Sequence, residues 1–138
     1  MRKNSEWSGG FLGVCRNNGD GEMEHFMKLA PGPFAAMAAG TKTVELRLND
    51  PKRQAVQPGD TLIFTEVGTE RTLRVAVLDR ADYPDFFALY PHFDPMELGY
   101  APGATARPED MFDYYSKGAI EKYGALALRV RRMEEDAL

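Results

Sequence analysis

The segment Gly-Thr-Lys-Thr-Val-Glu-Leu-Arg-Leu-Asn-Asp-Pro-Lys-Arg, from Gly40 to Arg53, constrains this chain most. Its centre alternates strictly, with Val44, Leu46 and Leu48 on one parity and Thr43, Glu45 and Arg47 on the other. A period of two is that of a β-strand, whose successive side chains point to opposite faces of a sheet. The expectation is a strand with one face on the core and the other presenting a carboxylate beside a guanidinium.

The flanking sequence extends this reading. Pro31 to Gly40 is punctuated as a short helix, with proline near the first position and glycine at the left-handed end. Phe34 and Met37, three apart, would face inward. Met23 to Leu29 alternates as a half-buried strand. Gln57-Pro-Gly-Asp60 has the residues of a type II turn. Thr61–Val67 and Thr72–Leu78 read as a hairpin joined at Gly68, and Gly124 to Arg132 as a closing strand. Short helices are expected from Tyr83 to Tyr90 and from Pro108 onward, with a long ordered loop from Phe93 to Ala106. Short strands with interposed short helices indicate an α+β fold, a mixed β-barrel of about five or six strands flanked by short helices.

Length bounds the answer to one domain, since 138 residues suffice for a single core. Residues 1–22, rich in Gly, Asn and Ser, read as a poorly ordered extension, and 23–138 as the domain. No apolar run approaches the ~20 residues of a membrane span, and the start lacks the pattern of a secretory signal. The single cysteine, Cys15, fits a reducing cytoplasm. With only His25 and His92 beside it, a structural zinc site is not expected. Neither histidine has a carboxylate or serine partner by spacing.

A net charge of −4 argues against general affinity for nucleic acid. Between Lys28 and Arg53, however, five cations face two carboxylates. A local basic patch suits one phosphate or a short single strand.

Several residues could carry chemistry there. Lys42 stands between a helix-ending glycine and a strand, with Thr41 and Thr43 beside it to orient a ligand oxygen. Its amine could act as a base in a partly dry site, hold phosphate, or be a solvated turn lysine. Glu45 and Arg47 could read a polar ring or form a surface ion pair worth about 0–1 kcal/mol. Lys52 and Arg53 could clamp phosphate or form a solvated corner. Tyr114, Tyr115 and Ser116 form a second cluster, of which at most one tyrosine should face a cleft. Ten of the 15 aromatics lie between Tyr83 and Tyr123, so most must serve as core.

Taken together, Lys28-Leu, Pro33-Phe34, Gly40-Thr-Lys42-Thr-Val-Glu45-Leu-Arg47, Asn49-Asp50-x-Lys52-Arg53 and Gly59-Asp60-Thr-Leu-Ile-Phe64 resemble an ASCH domain. Gly99-Tyr100, Tyr114-Tyr115-Ser116 and Tyr123-Gly124-Ala-Leu-Ala-Leu resemble its smaller bacterial members. The resemblance covers about residues 24–132. It implies a PUA-like β-barrel and binding of RNA, or of another single-stranded nucleic acid or a nucleoside, at a cleft beside the Gly-x-Lys-x-x-Glu-x-Arg element. The implied cleft residues are Lys42, Glu45 and Arg47, joined by Lys52, Arg53, Tyr115 and Ser116.

Some relatives are enzymes, and for this chain the resemblance leaves enzymatic activity open. One group removes the acetyl group of acetylated cytidine with a lysine, a threonine and a glutamate. Lys42 matches the lysine, but Glu45 stands at the threonine position and Ala76 near the glutamate. Two of three reactive positions therefore differ. Other relatives resemble metal-assisted ribonucleases, for which Lys42 and Ser116 would match. No cofactor is implied otherwise, and a divalent metal only for a ribonuclease. A protein partner on the same fold is a further alternative.

Overall fold

A computed structural model describes residues 15–16 and 23–133. Among these residues six strands form one sheet: β1 (Cys15–Arg16), β2 (Met23–Leu29), β3 (Val44–Leu48), β4 (Thr61–Glu66), β5 (Thr72–Tyr83) and β6 (Ala125–Arg132). Their order is β1-β2-β4-β5-β6-β3. The β2–β4 pair is parallel and every other pair antiparallel. The expected extension lies outside the described residues, apart from the two-residue β1 that pairs with the start of β2.

The sheet curls into a half-barrel, so its far strands β2 and β3 approach one another. No backbone ladder joins them. Side chains of the β3 region reach across instead: Arg47 Nη2 donates to the Lys28 carbonyl at 2.7 Å, and Lys52 Nζ to the Phe26 carbonyl at 3.3 Å. This is the α+β, PUA-like architecture expected, with short helices around a curled mixed sheet.

Two apolar clusters occupy the two sides of the sheet. Inside the curl, Met27, Leu62, Phe64, Val75 and Leu128 pack with Phe34 and Met37 of helix α1 (Pro31–Ala39). This helix begins with proline in its first turn and ends at Gly40, whose φ of 91° only glycine adopts readily. On the outer face of β3 and β6, Val44, Leu48 and Ala127 pack under a layer of short helices. These are α3 (Phe86–Leu89), α4 (Pro95–Leu98), α5 (Lys117–Tyr123) and 3-10 turns at Tyr90–His92 and Pro108–Asp113.

Four expectations need correction. The strand from Thr72 does not stop at Leu78 but runs on to Tyr83, past a register shift between Val77 and Asp79. The helix expected from Tyr83 is therefore only α3. The expected loop Phe93–Ala106 contains α4, closed by an Asp94–Glu97 capping box and by Gly99 at φ 107°. The element starting at Pro108 is a 3-10 helix rather than an α-helix. Asp50 caps a further one-turn helix, α2 (Pro51–Gln54).

Candidate functional site

The largest surprise lies in β3, because both of its faces are covered. Val44 and Leu48 face the helical layer, while Glu45 and Arg47 sit opposite Leu128 and Leu126 of β6. Directly paired residues share a face, so these charged groups enter the mouth of the curl rather than solvent. Glu45 is 3% exposed, and the Arg47 guanidinium lies 5.8 Å from the centre of the Phe64 ring.

Lys42 is buried as well, at 5% exposure. Its Nζ donates to the Val44 carbonyl at 2.6 Å and the Leu98 carbonyl at 2.9 Å, and stands 3.3 Å from Glu45 Oε1. Three acceptors thus meet the three donors of an ammonium. On the other side, Arg47 Nε donates to Glu45 Oε2 at 2.6 Å. Burial is the largest influence on Glu45 and pushes its pKa up, yet the charges and hydrogen bonds of Lys42 and Arg47 outweigh it. The net result holds its carboxyl below the ordinary 4.5.

This triad forms the floor of a cleft of about 410 Å³. Lys28, Leu29 and Pro33 line one wall; Tyr90, Tyr100, Asp110, Tyr114 and Tyr115 line the wall from the helical layer. The volume falls in the range of ~300–1,000 Å³ that accepts small molecules. Across the helical wall runs a chain of hydroxyls. Tyr100 donates to Asp110 Oδ2 at 2.7 Å, so the 2.8 Å contact between the two phenols has Tyr90 as donor. Burial, foremost, raises the pKa of both phenols, and the Asp110 carboxylate adds to this at Tyr100.

The other sequence-derived residues are placed as follows. Thr41 is exposed and its hydroxyl donates to the Ala36 carbonyl at the end of α1. Thr43 uses its backbone to join Glu97 and Val130 and does not line the cleft. Lys52 and Arg53 also lie outside it, Lys52 bridging to β2 and Arg53 paired with Asp50 at 3.1 Å. Tyr115 lines the cleft with its ring stacked on Phe86 at 6.2 Å. Ser116 Oγ accepts from the Ala119 amide as the cap of α5, again outside the cleft.

Both tyrosines of the pair line the cleft, against the expectation of at most one, and Tyr114 is the exposed one, at 69%. Sequence reasoning left open which tyrosine of the pair faces the cleft and carried only Tyr115 into the implied cleft, and it passed over Lys28, Tyr90, Tyr100 and Asp110. The Gly99-Tyr100 pair was the available signal, since a glycine-closed turn brings the next side chain to a wall. One more expectation fails: His25 does have a carboxylate, its Nε2 lying 2.9 Å from Asp60 Oδ2 with both residues buried.

The ASCH domain model matches residues 27–134. The chain belongs to the ASCH domain family. Its members share a PUA-like fold associated with RNA binding. Among solved structures, this ASCH domain resembles the hypothetical protein PH0355, with a TM-score of 0.69 and 27% identity over 80% of this chain and 100% of that one. A Pyrococcus furiosus protein aligns with a TM-score of 0.60 and 24% identity, covering 81% and 99%. A variant of the ASCH protein from Zymomonas mobilis gives a TM-score of 0.58 and 16% identity, covering 82% and 75%. These last two likenesses are of fold alone. No curated protein matches the sequence.

Proposed function

We propose that the cleft binds a nucleotide of single-stranded RNA, with the base against Tyr114 and the phosphate near Lys28. The observation that carries this reading is an exposed aromatic ring at the rim of a cleft whose floor is a buried Lys–Glu–Arg triad. Tyr114 has no ring partner among the described residues, whereas Tyr115 is committed to Phe86. Arg47 spends Nε and Nη2 on the protein, and its Nη1 has no hydrogen-bond partner among the described residues. Lys28 is exposed at the mouth. Stacking on an unpaired aromatic and a few cationic contacts are the terms by which single strands bind. Lys52, beyond the cleft on the β2–β3 seam, would meet the next phosphate. No helix of the described residues is long and apolar enough to cross a membrane, and the lone cysteine supports a cytoplasmic setting.

Binding is favoured over hydrolysis by how the reactive groups are used. The Lys42 amine is surrounded by acceptors, which suits an ammonium rather than a free base. The Ser116 hydroxyl is spent on a helix cap. The carboxylates of the cleft do not fit a divalent ion either: Glu45 is held by two cations, and Asp110 has no second free carboxylate beside it in the lining. Among the described residues, no group of three or more His, Cys, Asp or Glu stands together.

Titration of fluorescent RNA oligomers of a few nucleotides tests the reading. Tyr114→Ala should weaken binding about 5- to 150-fold, the range of ~1–3 kcal/mol for base stacking. The salt slope should be shallow, about −1.4 for two neutralised phosphates. No binding at low ionic strength would remove this reading altogether.

A further inference from the structure

Asp110 stands in the wall of the cleft with half of its carboxylate uncommitted. Its Oδ2 accepts a hydrogen bond from the Tyr100 hydroxyl at 2.7 Å, while Oδ1 has no hydrogen bond among the described residues. The residue is only partly exposed and lines the cleft. Tyr100 is itself steadied by Tyr90, a buried phenol donating at 2.8 Å. Two side chains therefore fix the orientation of a carboxylate that then offers an unused acceptor to whatever fills the cleft.

The geometry points to Asp110 as a specificity-determining residue that selects bases carrying an exocyclic amine over uracil. This deepens, and rests on, the reading of the cleft as a nucleotide site. A carboxylate can only accept, so it favours an edge that presents N–H donors. Cytosine offers N4–H₂ beside acceptors at N3 and O2. Uracil replaces that amine by a carbonyl, whose oxygen would face the carboxylate as acceptor against acceptor. Arg47 Nη1, without a hydrogen-bond partner among the described residues, is a donor in the same cleft and complements the N3/O2 side of cytosine. A donor and an acceptor in one cleft make the base edge, rather than ring size, the quantity being read. Tyr100 and Tyr90 act through Asp110 as positioning residues.

The test compares oligocytidine with oligouridine of equal length, two pyrimidines that differ in this edge. Wild-type protein should prefer cytidine by roughly tenfold, at the scale of a single good base contact. Asp110→Asn keeps the shape but adds a donor, and should collapse the preference mainly by raising affinity for uridine. Tyr100→Phe should reduce the preference with a smaller change in total affinity. Circular dichroism and thermal melting establish that each variant is folded. Equal binding of both oligomers by wild type would overturn this inference while leaving RNA binding in place. A preference that persists in a folded Asp110→Asn protein would overturn it too. If neither oligomer binds, both this inference and the nucleotide reading fall.

Discussion

Replacing Glu45 by glutamine keeps the side chain's shape but leaves Lys42 and Arg47 facing each other without an anion between them. Removing one partner from a buried ion pair costs about 3–5 kcal/mol, because an uncompensated charge stays behind. The cost is pH-dependent in a definite direction. The folded carboxyl titrates below its ordinary 4.5, so its contribution is complete above that value and is lost as pH falls through the lower folded value. Urea unfolding should show a constant gap between wild type and Glu45→Gln from about pH 8 to about pH 5, narrowing in stronger acid. A gap that stays constant into acid would mean Glu45 is not held ionised by its neighbours. Replacing such a triad wholesale by apolar residues is often neutral or stabilising, so stability does not explain why the groups are here. Residue types at this site were legible in sequence, but their burial was not. Lysines are usually solvated, and what buries Lys42 is a carbonyl 56 positions away, that of Leu98.

Elements whose signals are local were readable, whereas those depending on an interruption were not. Helix α1 carries its own start and stop, and β3 its own period. In β5 the alternation fails at Leu78, where the register shifts and the side chain is left 45% exposed. A bulge inserts one residue and flips the phase, so a period-two reading ends the strand too early. Helix α4 was missed although Asp94-Pro-Met-Glu97 carries a capping box, since one turn is too short to show periodicity. That small helix matters to the site. It delivers the Leu98 carbonyl to Lys42, and Gly99 behind it lies so close that an added Cβ would stand 3.0 Å from Lys42 Cδ. Its φ of 107° also penalises any side chain. Gly99→Ala should therefore lose about 1–3 kcal/mol, the scale of backbone strain at such a position. It should also weaken RNA binding by displacing Lys42. Unchanged melting and unchanged affinity together would show that neither the close approach nor the strain constrains the site.

At the scale of the molecule, two polar assemblies sit at opposite ends of the parallel pair β2 and β4. At the strand ends near Lys28, Leu29 and Val67 lies the cleft. At the other end Asp60 gathers three bonds: Oδ1 from the Met23 amide at 3.2 Å, and Oδ2 from the Gln57 amide at 3.0 Å and from His25 at 2.9 Å. It thereby ties the start of β2 to the turn that begins β4, where Gly59 takes φ 98° as the type II turn requires. A sheet whose β2–β3 seam is bridged by side chains alone needs its register fixed elsewhere, and this buried knot does so. The two ends should accordingly separate stability from binding. Asp60→Ala leaves two amides and a histidine without their acceptor, at roughly 1–3 kcal/mol for each buried group left unsatisfied, in part relieved by water. Its melting temperature should drop clearly, while RNA affinity measured well below that temperature should stay within about twofold, since non-contacting sites that far apart act nearly independently. Tyr114→Ala should do the reverse, leaving melting almost unchanged because its ring is exposed. If Asp60→Ala impaired binding as strongly as Tyr114→Ala, the two ends would be energetically coupled through β2 and β4. The half-barrel would then behave as one cooperative unit rather than a rigid support for a cleft at its mouth.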